Sequence, residues 1–209
     1  MKGFSIALKC CSCQLKKEVS AILRRLILAS RSPRRRELLR EAGFTFEVAP
    51  VNVAEAIDCR AGTRESARRN ALAKARLASI EQGEGIIIGA DTLVTYGRRI
   101  FGKPDTRKEA RKILSRLSGT THKVVTAVAL VDAYSGKEEV QEEVTAVTMR
   151  HLSRKELDSY VKSGEGLGKA GAFAVQESAS DFIVKIEGDF SNVVGFPVAL
   201  FKRMLETMK

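Results

Sequence analysis

The chain contains no tryptophan, only two histidines, and aromatic residues at 6% of its length. So few stacking surfaces argue against a binder of single-stranded nucleic acid, which interleaves aromatics with a basic groove. With His122 and His151 alone, a histidine-rich zinc centre lacks ligands and a Ser-His-Asp triad has little material. Three of the four cysteines, Cys10, Cys11 and Cys13, crowd the N-terminus far from Cys59, which is not the spacing of a disulfide framework. Cys10-Cys11-x-Cys13 can offer soft ligands to a metal, but the fourth ligand of a structural zinc site is missing. No apolar run approaches the roughly 18 to 20 residues of a membrane-spanning helix. Gly3 to Leu8 is too short for a secretory core before Lys9 interrupts it. Neither a Walker loop nor a strand followed by GxGxxG occurs, and there is no internal repeat or Pro- or Ser-rich linker. A soluble protein of a reduced cytoplasmic environment is expected.

What is present suits a globular fold. The 209 residues, 44% hydrophobic and 29% charged, suffice for one domain or two small lobes around a cleft, and exclude disorder and fibrous repeats. The net charge is +11, from 36 Lys and Arg against 25 Asp and Glu. Residues 1–25 carry six of those cations against the single Glu18, so +5 belongs to this segment and +6 to the remaining 184 residues. The segment reads as a loosely ordered, non-catalytic extension, and residues 26–209 as the folded domain. A modestly basic body suits small phosphorylated ligands better than nucleic acid.

The pattern along the chain is mixed α/β. Leu26 to Ala29 reads as a buried strand. Ser32 then caps a helix with Pro33 at its first position and Gly43 beyond its end. Phe44 to Val51 reads as a second strand, and Thr63 opens a helix carrying Ala67, Ala71, Ala75 and Ala78. Gly85 to Ala90 reads as a central strand with Asp91 just past its end, followed by a hairpin over Leu93 to Phe101. Thr106 with Glu109, and Ser153 with Glu156, box two further helices. Lys123 to Asp132 and Glu138 to Met149 form a long antiparallel pair. Gly164 to Gly171 and Gly188 to Gly195 read as loops, Phe182 to Ile186 as the last strand, and Pro197 as the start of a terminal helix.

Three features converge on a phosphate chain. Ser30-Arg31-Ser32-Pro33-Arg34-Arg35 joins a strand to a helix N-terminus, where backbone amides, hydroxyls and Arg34 can receive phosphate oxygens. Gly89-Ala90-Asp91-Thr92 sets a carboxylate at a strand end, able to hold a divalent ion, orient water or simply bond its own turn. Glu55 can be its acidic partner, since a hard cation often needs only one or two protein carboxylates. Lys74, Lys103 and Lys169 are cations that can stabilise charge on non-bridging oxygens, although any one alone reads as a solvated surface lysine. His122 reads as polar packing near the cleft.

These residues resemble the Maf family of nucleoside triphosphate pyrophosphatases. The resemblance runs from Leu26 to Lys209 through Leu28 to Arg35, Glu55, Ala73-Lys74-Ala75, Gly89 to Thr92, Gly102-Lys103-Pro104, Ser118 to His122, Lys169 to Phe173, Gln176 and Asn192 to Pro197. It implies a mixed twisted sheet with helices on both sides and a long antiparallel arm, two lobes around a cleft, as in inosine triphosphatase-like folds. It also implies hydrolysis of a triphosphate to the monophosphate and pyrophosphate with Mg2+ or Mn2+, by a homodimer. Asp91 falls on the family's proton acceptor. Ser30, Arg35, Glu55, Lys74 and Lys103 fall on its phosphate- and metal-handling positions, and Lys169 on its substrate loop. Arg34, Thr92 and Gln176 match the positions that set base choice in the subfamily acting on dTTP and UTP. The chain departs from the pattern at Gly168, usually Asp, and at Glu177, usually Gly.

Two rivals belong to other classes. A nucleic-acid- or protein-binding regulator of cell division would follow from the basic charge, and would bind without consuming nucleotide. A sugar-phosphate nucleotidyltransferase shares the basic Ser-Pro-Arg turn but needs a second, sugar-phosphate substrate.

Overall fold

The computed structural model describes residues 25–176 and 178–208. The expectations for Cys10, Cys11, Cys13, Glu177 and the extension up to residue 24 lie outside the described residues. Arg25 is within them, and its guanidinium pairs with Glu47 and Glu84.

Strand β1 (Leu26–Leu28) ends at the Ser30 turn, and Ser32 caps α1 (Pro33–Glu41) by accepting from the Arg35 amide. The expected second strand shrinks to β2 (Glu47–Val48), because the flanking aromatics turn toward the core. Phe44 packs edge-on against Phe201, with ring centroids 5.0 Å apart. Helix α2 (Gly62–Gln82) starts without a side-chain cap, and Asp58 receives the Arg60 and Ala61 amides just before it. Four fully buried alanines, Ala67, Ala71, Ala75 and Ala78, form its inward seam.

The largest difference from the sequence expectation concerns β3 (Ile86–Tyr96). It runs unbroken through Asp91 and absorbs the first arm of the expected hairpin, whose second arm is β4 (Arg99–Phe101). Asp91 therefore sits inside a strand, paired with Ala127. Both capping boxes are present, on α3 (Arg107–Leu117) and α4 (Arg154–Ser163). The two long strands are β5 (Thr121–Asp132) and β6 (Glu138–Met149). Short 3-10 turns at Ala170–Ala172 and Ser178–Phe182 precede β7 (Ile183–Glu187). The expected loop before Gly195 contains a short helix, α5 (Phe190–Val194), because Asp189 caps it through the Ser191 and Asn192 amides. Pro197 is the N-cap of the terminal helix α6 (Val198–Thr207).

Among the described residues the seven strands form one sheet in the order β2-β1-β3-β5-β6-β7, with β4 pairing the outer half of β3. Strand β1 is parallel to β2 and β3, and every other pairing is antiparallel. The period-2 alternation of the strands divides the core into two layers. Ile27, Ile87, Leu93, Val125 and Ala129 meet the alanine seam of α2 on one face. On the other, Leu28, Ile88, Val128 and Met149 meet Leu39 of α1, Leu114 of α3, Leu157 of α4 and Phe201 of α6. This is the mixed sheet with helices on both sides that the sequence implied. Among the described residues no helix is long and apolar enough to cross a membrane.

Candidate active site

Consecutive residues of β3 serve opposite faces of the sheet, which sorts the site into an acidic and a basic half. Asp91 points with Ile87 and Leu93 toward α2, whereas Thr92 points with Ala90 and Val94 toward α1. Gly89 lies two residues before Asp91 on the α2 face. A Cβ there would collide with the Ala71 carbonyl oxygen and come within 2.9 Å of the Ala75 Cβ. Glycine thus permits the close approach of helix to sheet that brings Asn70 and Lys74 onto Asp91.

The acidic half is a compact ion cluster. Lys74 Nζ donates to Glu55 Oε1 at 2.7 Å, to Asp91 Oδ1 at 2.8 Å and to the Ala90 carbonyl at 3.3 Å, so all three of its N–H bonds are used. Lys103 Nζ donates to the same Glu55 oxygen at 2.5 Å and stands 3.8 Å from Asp91 Oδ1. Asn70 Nδ2 donates to Asp91 Oδ2 at 2.9 Å, and the Asp91 side chain is fully buried. Burial opposes ionisation of Glu55, but attraction to Lys74 and hydrogen bonds from Lys103 and Lys74 outweigh it and hold the carboxyl at about 2. Burial, with repulsion from Lys74, lowers the Lys103 ammonium below its usual value despite the pull of Glu55 and Asp91.

Arg35 organises the basic half from inside. Its Nε donates to the Gly195 carbonyl at 2.9 Å, one terminal nitrogen to Ser30 Oγ at 3.2 Å and the Ala90 carbonyl at 3.0 Å, and the other to Thr92 Oγ1 at 3.1 Å. Burial lowers its pKa, against the attraction of Asp91 and Glu55. Four of its five donors are thus engaged in tying α1, β3 and the Gly195 turn together. Four of its donors hold the frame while its charge reaches the cleft, which it lines. Thr92 Oγ1 is likewise shared between Arg35 and Thr126, and Thr126 bonds onward to the Asn192 carbonyl. Arg34, by contrast, lines the cleft with no ion-pair partner among the described residues.

The cleft between the halves has a volume of about 400 Å³ and is lined by Ser30, Arg34, Arg35, Glu55, Lys74, Thr92 and Lys103, with the α1 N-terminus at one wall. Asp91 lies immediately behind Lys74 and Lys103. Lys169 and Gln176 are not among its lining residues, and Gln176 is exposed. Gly168 and Ala170 on either side of Lys169 do line the cleft, and the loop backbone braces Lys103, the Gly171 and Gly168 amides donating to the Gly102 and Pro104 carbonyls on either side of it. Gly171 has φ of 73°, and a Cβ there would lie 2.8 Å from both the Phe173 ring and Val94. His122 is buried, its ring edge-on to Phe173 on the cleft wall at 5.3 Å, and burial lowers its pKa to about 4.

Asn70 had no place in the sequence reading. One signal was available: it precedes Lys74 by four residues and so shares its face, as a polar residue in an alanine seam. For a metal ion, Glu55 and Asp91 are the available hard ligands, and among the described residues no cluster of three or more His, Cys, Asp or Glu side chains occurs. Glu55 Oε1 and Asp91 Oδ1 lie close enough to share the Lys74 ammonium, so an ion entering beside Lys74 would take its remaining ligands from phosphate and water.

Comparison with known proteins gives relatives over most of the chain. It is 45% identical over 177 residues to a dTTP/UTP pyrophosphatase of Alkaliphilus oremlandii, covering 84% of this chain and 92% of that protein. A dTTP/UTP pyrophosphatase of Moorella thermoacetica is 42% identical over 181 residues, covering 87% of this chain and 93% of the relative. One of Bdellovibrio bacteriovorus is 43% identical over 185 residues, with 86% and 96% covered. The model of one family, described as Maf-like protein, matches residues 25–208, and with that span this chain belongs to the Maf-like protein family.

Proposed function

We propose that this chain hydrolyses nucleoside triphosphates to the monophosphate and pyrophosphate, with dTTP and UTP preferred, as a cytoplasmic homodimer that keeps the nucleotide pool. The observation that carries this reading is the ion cluster in which Glu55, Lys74 and Lys103 line a cleft beside the α1 N-terminus with Asp91 directly behind them. The base preference is supported by the names of the relatives.

In this mechanism the first-turn amides of α1 and Arg34 receive phosphate oxygens, where the helix dipole favours negative charge. Lys103, whose side chain is 32% exposed, swings from Glu55 onto the triphosphate. Lys74, only 10% exposed, stays against Asp91 and contributes fixed positive charge. Asp91 accepts the proton of the attacking water. The water oxygen bonds to phosphorus, the α–β bridging bond breaks, and the products part as monophosphate and pyrophosphate. Glu55 and Asp91 would hold Mg2+ or Mn2+, which when bound neutralises charge on the phosphate oxygens. Positioning and electrostatics supply most of the acceleration.

The test is incubation of the purified chain with a panel of pyrimidine and purine triphosphates plus Mg2+ or Mn2+, with products resolved by chromatography. Monophosphate and pyrophosphate in equal amounts, fastest from dTTP and UTP, is the expected result. Release of orthophosphate alone, or no consumption of any triphosphate, contradicts the proposal.

A further inference from the structure

The buried polar positions of α2 are Ser66, Asn70 and Lys74, one turn apart. Ser66 bonds locally, to the carbonyls of Gly62 and Asp58. Asn70 reaches further. Its Nδ2 donates both hydrogens, to Asp91 Oδ2 at 2.9 Å and to the Ala56 carbonyl at 3.1 Å, while its Oδ1 accepts from the Ala56 amide at 3.0 Å. Ala56 follows Glu55 directly, so one side chain, only 4% exposed, grips the loop carrying one carboxylate and the other carboxylate itself. The geometry points to Asn70 as a positioning residue that fixes the distance between Glu55 and Asp91. It also fixes the rotation of the Asp91 carboxylate, so that Oδ2 is held by the amide and Oδ1 faces the cations.

This inference rests on the hydrolase reading for its catalytic consequence, but the clamp can be measured without substrate. Two variants separate its parts. Asn70→Asp is isosteric and keeps an acceptor for the Ala56 amide, but loses both donors, to Asp91 and to the Ala56 carbonyl, and sets a second carboxylate against Asp91. Asn70→Ala removes donors and acceptor alike and preserves the helix, alanine being the best helix former.

Loss of a hydrogen bond to a buried carboxylate corresponds to about a 10- to 100-fold change. Asn70→Asp should therefore lower kcat by about that factor with KM for the nucleotide within about threefold, and with hydrogen exchange at the Ala56 amide still slow. Asn70→Ala should lower kcat at least as far and also speed Ala56 exchange. If Asn70→Asp does not fold, the Asn70→Ala pair of readouts decides alone. Wild-type kcat in either folded variant, a loss confined to KM, or unchanged Ala56 exchange in Asn70→Ala overturns the inference. A wild-type chain that consumes no triphosphate faults the hydrolase reading instead, and the Ala56 exchange still judges the clamp.

Discussion

Replacing Lys74 by methionine removes the cation that holds the acidic half together while keeping the length of the side chain. Lys74 is 10% exposed and its partner Asp91 is fully buried, so the pair lies where water compensates little for a lost partner. Breaking a buried pair by deleting one member costs about 3 to 5 kcal/mol, because an uncompensated charge is left behind. Asp91 would retain the Asn70 amide and a more distant Lys103, which argues for the lower end of that range. For a domain of this size, each kcal/mol moves the melting temperature by roughly 2 to 4 °C, so Lys74→Met should melt about 6 to 12 °C below the wild type. Lys103→Met provides the contrast. Its side chain is a third exposed and its ion pairs sit at the cleft mouth, so the expected loss is below about 1 kcal/mol. Differential scanning calorimetry of both variants at neutral pH tests the ranking. Equal melting temperatures for Lys74→Met and the wild type, or a larger loss for Lys103→Met, would refute the view that Lys74 is the structural keystone and Lys103 the mobile cation.

Gly89→Ala sets a methyl against the Ala71 carbonyl and the Ala75 methyl. Overpacking costs about 1 to 3 kcal/mol, and α2 must shift outward, so both the melting temperature and kcat should fall, with rescue of neither by added metal. His122 gives a pH signature. Its folded pKa, about 4, lies below the ordinary 6.5, so the unfolded chain binds more protons between these values; its stabilising contribution is full above pH 6.5 and is lost as pH falls toward 4. That amounts to on the order of 2 to 3 kcal/mol between about pH 7 and pH 4.5. In denaturant titrations across that interval the wild type should lose about that much stability relative to His122→Leu as the pH falls, and parallel curves would count against the assignment.

Much of this was legible in the sequence because short polar signals stood at the ends of apolar runs. Ser32-Pro33 opened α1, Thr106 with Glu109 and Ser153 with Glu156 boxed α3 and α4, and the resemblance gathered Glu55, Lys74, Asp91 and Lys103 before their meeting was visible. Two departures remain: the central strand expected to end at Ala90 runs unbroken through Asp91, with Gly89 inside it serving the approach of α2, and the loop expected over Gly188 to Gly195 holds a helix that Asp189 caps. Asn70 stayed hidden because a lone polar residue on a helix reads as solvent-facing until a partner strand covers it. The tethering of Arg35 and Thr92 could not be read either. Their partners, the Gly195 and Ala90 carbonyls and Thr126, are backbone or distant groups that carry no motif of their own.

Whether Asp91 is the proton acceptor is tested most directly by Asp91→Asn, which keeps the shape of the side chain but removes its charge and basicity. With dTTP and Mg2+ or Mn2+, pyrophosphate release should slow by about two orders of magnitude or more while nucleotide binding, measured by calorimetry, is largely kept. Wild-type turnover in a folded Asp91→Asn protein would contradict it.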